Sequence, residues 1–445
     1  MLFTTDRQTI EDLNIFGKHS SSSIYNLFNR TSTRGGAELL EEMFLYPLSE
    51  PEAINKRSGI IKYFSITSVF PFDTGYFDVA EAYLANIDER TKLLHDGDKI
   101  IKKIGNLIAE ESDYKFISAG VTALIEIINA LKEFTDSLVS ASFTAYHADL
   151  EVILDLLAFP EFDALFDMKR NSRLAYSKLA ELDGVLRFKY SEKIKTLLHY
   201  IYQLDVYISV GKIAIERGFI FPKALPSGKY ALEINGLYHP ELAKPVANDF
   251  KITPEANIVF LTGANMAGKS TFMKSVGIAL YLAHMGFPVA AIFMEFGVMD
   301  GIYTTINLPD DLLSGISHFY AEVLRIKKIA KELASAKKLF IIFDELFRGT
   351  NVKDAFEGTV AITEAFATRH NSMFMVSTHI VEAAEILEER CDKINFIYLP
   401  TSMQNNKPIY SYHLEQGVTA DRHGMVIINN EGILEIIRSR INRTI

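Results

Sequence analysis

The chain has 445 residues, 48% of them hydrophobic, and a formal net charge of −10, enough length to bury large cores and to divide into two or three domains. The acidic balance argues against a protein that coats DNA without specificity, because such binding draws on cationic side chains that release counterions. A single cysteine, Cys391, excludes an internal disulfide framework, and with no signal-peptide pattern at the N-terminus the expected location is the cytoplasm.

The N-terminal half reads as helix. Of 13 prolines only Pro160 falls between Pro71 and Pro222, so this stretch lacks the residue that most strongly interrupts helices. Lys99, Lys102 and Lys103 form a small cationic cluster, matched near the C-terminus by Arg438, Arg440 and Arg443; both have the pattern of solvated helix faces. Val121, Leu124, Ile125, Ile128, Leu131 and Leu138 share one helix face, as do Ile194, Leu197, Leu198, Ile201 and Ile208, which makes them packing surfaces. Leu182 to Ile208 reads as near-continuous helix.

After Gly218, Pro222 and Pro226 mark a linker, and from about Tyr230 short apolar strands alternate with helices. Strands are expected at 230–234, 258–262, 301–306, 339–343, 373–377, 394–399 and 409–414, the pattern of an open α/β sheet. Ser275 to Met294 carries no formally charged residue and has the length of a bilayer span. Gly286-Phe287-Pro288 interrupts it, so it reads as a helix followed by a buried strand at 289–294, and no membrane segment is expected.

Gly263-Ala264-Asn265-Met266-Ala267-Gly268-Lys269-Ser270-Thr271 follows the apolar run Ile258-Val259-Phe260-Leu261 and precedes an amphipathic stretch from Phe272 to Met285. Strand, glycine-rich turn and helix start let successive backbone N–H groups point into one concavity, which holds a β-phosphate at the positive end of the helix. Lys269 then reaches the terminal phosphates and Ser270 ligates Mg²⁺. A glycine turn with a surface lysine is the competing reading, and both spacing and flanking pattern count against it. Nucleoside triphosphate binding is expected.

Leu339 to Phe343 is an apolar run that ends in Asp344-Glu345. Asp344 can hold Mg²⁺, and Glu345 can orient or deprotonate an attacking water. Two such acids could equally cap the next helix; the upstream phosphate loop favours catalysis. Met373 to Ser377 is a further strand, followed by Thr378-His379. A histidine at that edge is placed to sense a γ-phosphate, although a lone histidine is often structural.

These residues resemble the MutS family of DNA mismatch-repair ATPases. Thr262 to Thr271 is similar to the family's phosphate loop. Asp310-Asp311-Leu312-Leu313-Ser314-Gly315-Ile316-Ser317-His318-Phe319, with Glu322 three residues on, resembles its Asp-Asp-Leu and Gly-x-Ser-x-Phe segments. Asp344-Glu345-Leu346-Phe347-Arg348-Gly349-Thr350 resembles its Walker B and D-loop, and Ser377-Thr378-His379 its switch. Asn29 to Gly36, Leu39-Leu40, Tyr46-Pro47-Leu48 and Ile54 to Arg57 are similar to the start of its helical lever. Gln203-Leu204-Asp205 and Gly236 to Pro240 resemble the lever's end and the entry to the ATPase.

The resemblance implies an all-α helical lever domain over 1–222, an α/β P-loop NTPase domain of ABC type over 223–425, and a helical tail over 426–445. It implies ATP and Mg²⁺ as cofactors. Lys269, Glu345 and His379 become the catalytic set, Gly263 to Thr271 the ATP-binding loop, and Ser270 and Asp344 the metal ligands. In a homodimer, Gly315 and Ser317 of one subunit would complete the other's site. Pro245 stands where relatives carry an aromatic residue that stacks on adenine, and Tyr412 is expected to supply a stacking face from the other side.

Members active in mismatch repair carry mismatch-reading and connector domains before the lever, whereas this sequence begins at the lever and leaves no room for a full clamp. The expected function is an ATPase that couples nucleotide state to binding of double-stranded or branched DNA in repair or recombination, with a DNA-repair protein as a further partner and without mismatch specificity of its own. The alternative is a nucleotide-switched protein-assembly module that has lost DNA recognition. A general ABC-type ATPase is more distant, since only Leu313-Ser314-Gly315 is superficially like an ABC signature.

Overall fold

The proline-poor half folds as its periodicity predicts, into helices. The computed structural model describes residues 3–17, 22–67, 69–93, 107–139, 145–166, 168, 174–307, 317–404, 407–419, 432–434 and 436–437. The chain divides into two units, one made of 29–43 and 59–212 and the other of 1–28, 44–58 and 213–445. The helices of the first half are α1 (Arg7–Asp12), α2 (Ile24–Phe28), α3 (Arg34–Leu45), α4 (Pro51–Thr67), α5 (Phe77–Ala85), α6 (Leu107–Val139), α7 (His147–Leu157), α8 (Pro160–Phe166), α9 (Tyr176–Asp183) and α10 (Ser191–Arg217).

In the helical unit the two apolar stripes are buried on α6 and α10, with Leu138 half-buried. Within α6, Ser112–Val139 is long and apolar enough by composition to cross a membrane, at mean hydropathy 1.3, and 56% of its most apolar window is buried within the protein, as in the core helix of a bundle. The helix read from Leu182 to Ile208 is interrupted by a π-helical turn, Gly184–Lys189. That widened turn brings Arg187 wholly inside. Its guanidinium donates to Asp183 Oδ2 at 2.7 Å, Thr91 Oγ1 at 3.0 Å and Asn86 O at 3.2 Å. Asp183 also accepts from the Tyr83 hydroxyl at 2.8 Å. On α10, Asp205 accepts from the N–H of Ser32 and Thr33 at 2.9 and 2.8 Å and so satisfies donors at the start of α3.

The other unit contains β1 (Lys223–Ala224), β2 (Leu232–Leu237), β3 (Asn248–Ile252), β4 (Ile258–Gly263), α11 (Lys269–His284), β5 (Phe293–Phe296), β6 (Gly301–Thr305), α12 (His318–Ala334) and β7 (Leu339–Asp344). It continues with α13 (Val352–Ala367), β8 (Met373–Thr378), α14 (Val381–Arg390), β9 (Ile394–Leu399), β10 (Thr401–Gln404), β11 (Lys407–Tyr410) and β12 (Glu415–Gln416). A six-stranded sheet runs β12-β9-β4-β8-β7-β6, parallel except for β12. A four-stranded mixed sheet runs β1-β5-β2-β3, and β10 pairs with β11 as a hairpin.

On one face of the larger sheet Ile258, Phe260, Ile341, Phe343, Phe374 and Val376 pack with α12, α13 and α14. On the opposite face lies α11, where Gly277 approaches Ile342. The amphipathic reading of α11 is corrected: every residue from Ser275 to His284 is buried. The reason is a second cover, since Leu13 meets Gly277 and the Tyr281 hydroxyl donates to Phe44 O.

Residues 1–28 and 44–58, read in the sequence with the helical half, belong to the sheet-bearing unit. Of these, Thr4, Thr9 and Asp12 satisfy the open edge of β6 and the residues just after it, whose donors would otherwise be unpaired. Ile302 N–H donates to Thr4 O at 3.0 Å, Thr304 N–H to Thr9 Oγ1 at 2.9 Å, and Ile306 and Asn307 N–H to the Asp12 carboxylate at 2.9 and 3.0 Å.

Smaller corrections concern strands. The run expected as a strand at 289–294 pairs only from Phe293, after an isolated bridge at Val289. Of the expected strand 409–414 only Ile409 and Tyr410 are strand, at the end of β11, while 411–414 are irregular and β12 begins after them, and the linker after Gly218 includes β1. β3 went unread because it alternates, with only Phe250 and Ile252 buried, and offers no apolar run.

Candidate functional site

Parallel pairing sets Thr262 beside Thr378 and Asp344 beside Ser377. Gly263, Asp344 and Thr378 therefore end three adjacent strands on one carboxyl edge, where open α/β sheets bind ligands. The strand carrying Ser377-Thr378 lies between the other two.

The loop from Gly263 to Gly268 turns through left-handed backbone at Met266 (φ 74°) and Gly268 (φ 102°). Gly268 is the N-cap of α11, and a Cβ there would lie 3.1 Å from the Tyr412 ring, so glycine answers both backbone and space. Asn265, Met266, Ser270 and Thr271 are exposed, while Ala267 is buried and Ala264 half-buried. Tyr412 is held against the loop by Asn248, whose Nδ2 donates to Tyr412 O at 2.9 Å and whose Oδ1 accepts from Leu414 N–H at 2.8 Å. Pro245 lies half-buried three residues before Asn248.

Lys269 is 5% exposed, and its ammonium donates to Gly263 O at 2.8 Å and Ala264 O at 3.2 Å. Burial lowers its pKa, opposed by the charges of Glu345 and Asp344. The Ser270 and Ser377 hydroxyls donate to the two oxygens of Asp344. One carboxylate beside a hydroxyl is a hard oxygen set of the kind Mg²⁺ takes, with phosphate and water as the other ligands.

Glu345 stands at the centre. Its carboxylate is 3.0 Å from Arg348 Nε, 3.6 Å from His379 Nδ1 and 3.8 Å from Lys269 Nζ. The contact with His379 lowers its pKa, helped by Arg348 and Lys269 and opposed by burial. The same contact raises that of His379, a half-exposed side chain. Glu345 and Phe347 have φ of 58° and 64°, left-handed conformations that cost on the order of 1–3 kcal/mol each in non-glycine residues. Glu345 N–H donates to Ser377 O at 3.1 Å.

Of the residues singled out in the sequence, Lys269, Ser270, Asp344, Glu345, His379 and Tyr412 thus surround one loop. Ser317 is placed otherwise, as the exposed N-cap of α12, accepting from Tyr320 N–H at 3.3 Å. Gly315, both cationic clusters and most of 426–445 fall outside the described residues. Arg348 and Glu322 were read only as letters of motifs. The structure gives Arg348 contacts with both acids, at 3.0 Å to Glu345 and 3.6 Å to Asp344, and buries Glu322. An arginine four residues after Asp344 was the available signal.

The family model for MutS domain III matches residues 8–211, and that for MutS domain V matches 259–443. The DNA mismatch repair protein MutS of Fusobacterium nucleatum subsp. nucleatum is 25% identical over 375 residues, covering 82% of this chain and 41% of that protein. MutS of Macrococcus caseolyticus is 31% identical over 264 residues, covering 56% of this chain and 31% of that protein. MutS of Ehrlichia ruminantium (strain Welgevonden) is 25% identical over 255 residues, covering 57% of this chain and 31% of that protein. The chain thus spans between 31% and 41% of the length of these relatives.

Proposed function

The chain belongs to the MutS family, and from that premise we propose that it binds and hydrolyses Mg²⁺-ATP as a homodimer and couples its nucleotide state to DNA. The observation that carries this reading is the meeting of Lys269, Ser270, Asp344, Glu345 and His379 around the 263–268 loop at one sheet edge. ATP and Mg²⁺ supply the transferable phosphoryl group and its charge-neutralising ion. Backbone N–H groups of the loop hold phosphate oxygens at the start of α11. Lys269 leaves the carbonyls of Gly263 and Ala264 for the terminal phosphates. Ser270 and Asp344 hold the metal, and Glu345 orients water and takes its proton. His379, poised on Glu345, responds to the γ-phosphate, and Tyr412 stacks on the base. Ser317 and Gly315 of the second copy complete the site.

In this proposal the helical unit of 29–43 and 59–212 acts as the lever and the sheet-bearing unit as the ABC-type P-loop ATPase, in the cytoplasm. With a net charge of −10, DNA contacts of this polypeptide are few and salt-sensitive, favour double-stranded or branched forms, and do not discriminate a mismatch. The same charge supports the second reading, a nucleotide-switched assembly module that acts through a protein partner.

Phosphate release by the purified chain, with and without Mg²⁺, tests the first reading. Turnover should require the ion, and Lys269→Ala should weaken nucleotide binding. Absence of release together with unchanged binding in the variant ends it. Competition among matched, mismatched and branched duplexes at fixed salt then separates the two readings. A tenfold preference for a mismatch, about 1.4 kcal/mol, would contradict the DNA part.

A further inference from the structure

The helix that begins after Ser317 is joined to the turn carrying Glu345 by one buried side chain. Glu322 on α12, 6% exposed, accepts hydrogen bonds from the backbone N–H of Arg348 at 3.2 Å and of Gly349 at 3.5 Å. The two segments meet closely around it. A Cβ at Gly349 would lie 2.5 Å from Phe319 N, and the rings of Phe319 and Phe347 are 5.8 Å apart.

The turn is one that side-chain-bearing residues do not adopt unaided, since Glu345 and Phe347 both have positive φ. Such a conformation persists only where its surroundings hold it. Ser377 O holds the entry, through Glu345 N–H at 3.1 Å, and Glu322 holds the exit. Arg348, whose N–H Glu322 accepts, places its own Nε 3.0 Å from the Glu345 carboxylate. A residue needed only to fill this space would be apolar, because burying a carboxylate is costly unless it satisfies donors that matter.

From this geometry we infer that Glu322 is a positioning residue, which fixes the 345–349 turn so that Glu345 and Arg348 stand at the sheet edge. Its kinetic consequence rests on the proposed hydrolysis; its structural consequence does not. Glu322→Gln keeps the size and removes the charge and one acceptor, and Glu322→Ala removes both acceptors.

For each variant of the full chain, the measurements are thermal melting, affinity for a fluorescent ADP analogue, kcat and KM, and hydrogen exchange of peptides covering 344–350. The expected result is ADP affinity close to wild type in both variants, melting close to wild type in Glu322→Gln and lowered by no more than a few degrees in Glu322→Ala, amide exchange in 348–349 at least tenfold faster, and kcat lowered tenfold or more at unchanged KM. Exchange and kcat both within twofold of wild type in both variants would overturn the inference. So would a kcat loss matched by equal losses of affinity and melting temperature, which marks a residue that only maintains the fold. Should wild type show no turnover, the proposed function fails, while the exchange arm still decides the role of Glu322.

Discussion

Each unit of the molecule buries an ion pair, and the two are built for opposite ends. In the helical unit Arg187 and Asp183 are fully enclosed, and their partners are Tyr83, Thr91 and the carbonyl of Asn86. In the sheet-bearing unit Lys269, Asp344 and Glu345 cluster at a strand edge beside His379, whose side chain is half exposed. A closed polar network fixes local geometry, whereas an open one has atoms to offer a ligand. The same contrast explains why one half disclosed its chemistry in the sequence. Phosphate handling needs particular atoms at particular spacings, while helix packing needs only apolar residues at the right period, which many sequences supply.

The contrast is sharpened most by removing the enclosed cation. Arg187→Ala leaves Asp183 buried without its partner, and should cost about 3–5 kcal/mol in denaturant unfolding while leaving nucleotide affinity of the folded protein unchanged. A loss below about 1 kcal/mol would make the enclosed pair incidental to the fold. A smaller loss is expected at the sheet edge that α1 covers. Asp12→Ala strips acceptors from Ile306 and Asn307 N–H and from Thr304 Oγ1, for about 2 kcal/mol in the same measurement.

Neither of these contacts was legible in the sequence: Arg187 and Asp183 lie one helical turn apart, but Tyr83 and Thr91, which enclose them, come from 100 and 96 positions away, and Asp12 reaches across 292 positions to Thr304. β4, β7 and β8 were legible, since each is a run buried on both faces, and β9 was legible as a largely apolar run although it is covered only in part. Their order was not: nothing in the runs says that the strand ending in Thr378 inserts between the other two. The candidate site residues could be named from the sequence because motifs fix their spacing, while the contacts of Glu322 and Arg348 emerged only from the distances.

A smaller effect distinguishes capping from a role at the partner's site. Ser317→Ala loses the N-cap of α12 and should cost about 1 kcal/mol. Under the proposed dimer it also lowers turnover by more than that stability loss explains, which kcat measured well below the melting temperature will read. Unchanged kcat would leave Ser317 as a cap alone.

The smallest effect is electrostatic. The contact with Glu345 raises the folded pKa of His379 above its ordinary 6.5, so its contribution is complete below that value and is lost as pH rises through the folded pKa. Glu345 is lowered from 4.5, so its contribution is complete above that value and is lost as pH falls through the folded pKa. The pair is therefore at full strength between about pH 4.5 and 6.5. NMR titration should find His379 above 6.5 in wild type and lower in Glu345→Gln; equal midpoints would dissolve the contact.

The claim that the open cluster is an ATP-hydrolysing site is tested most directly by Glu345→Gln, with Mg²⁺-ATP affinity and single-turnover phosphate release measured on the same sample. The account predicts ATP affinity within a few-fold of wild type and release slowed a hundredfold or more, about 2.7 kcal/mol in the barrier. Release at the wild-type rate from a variant that still binds ATP would contradict it, because the carboxylate at the centre of the cluster would then take no part in the chemistry.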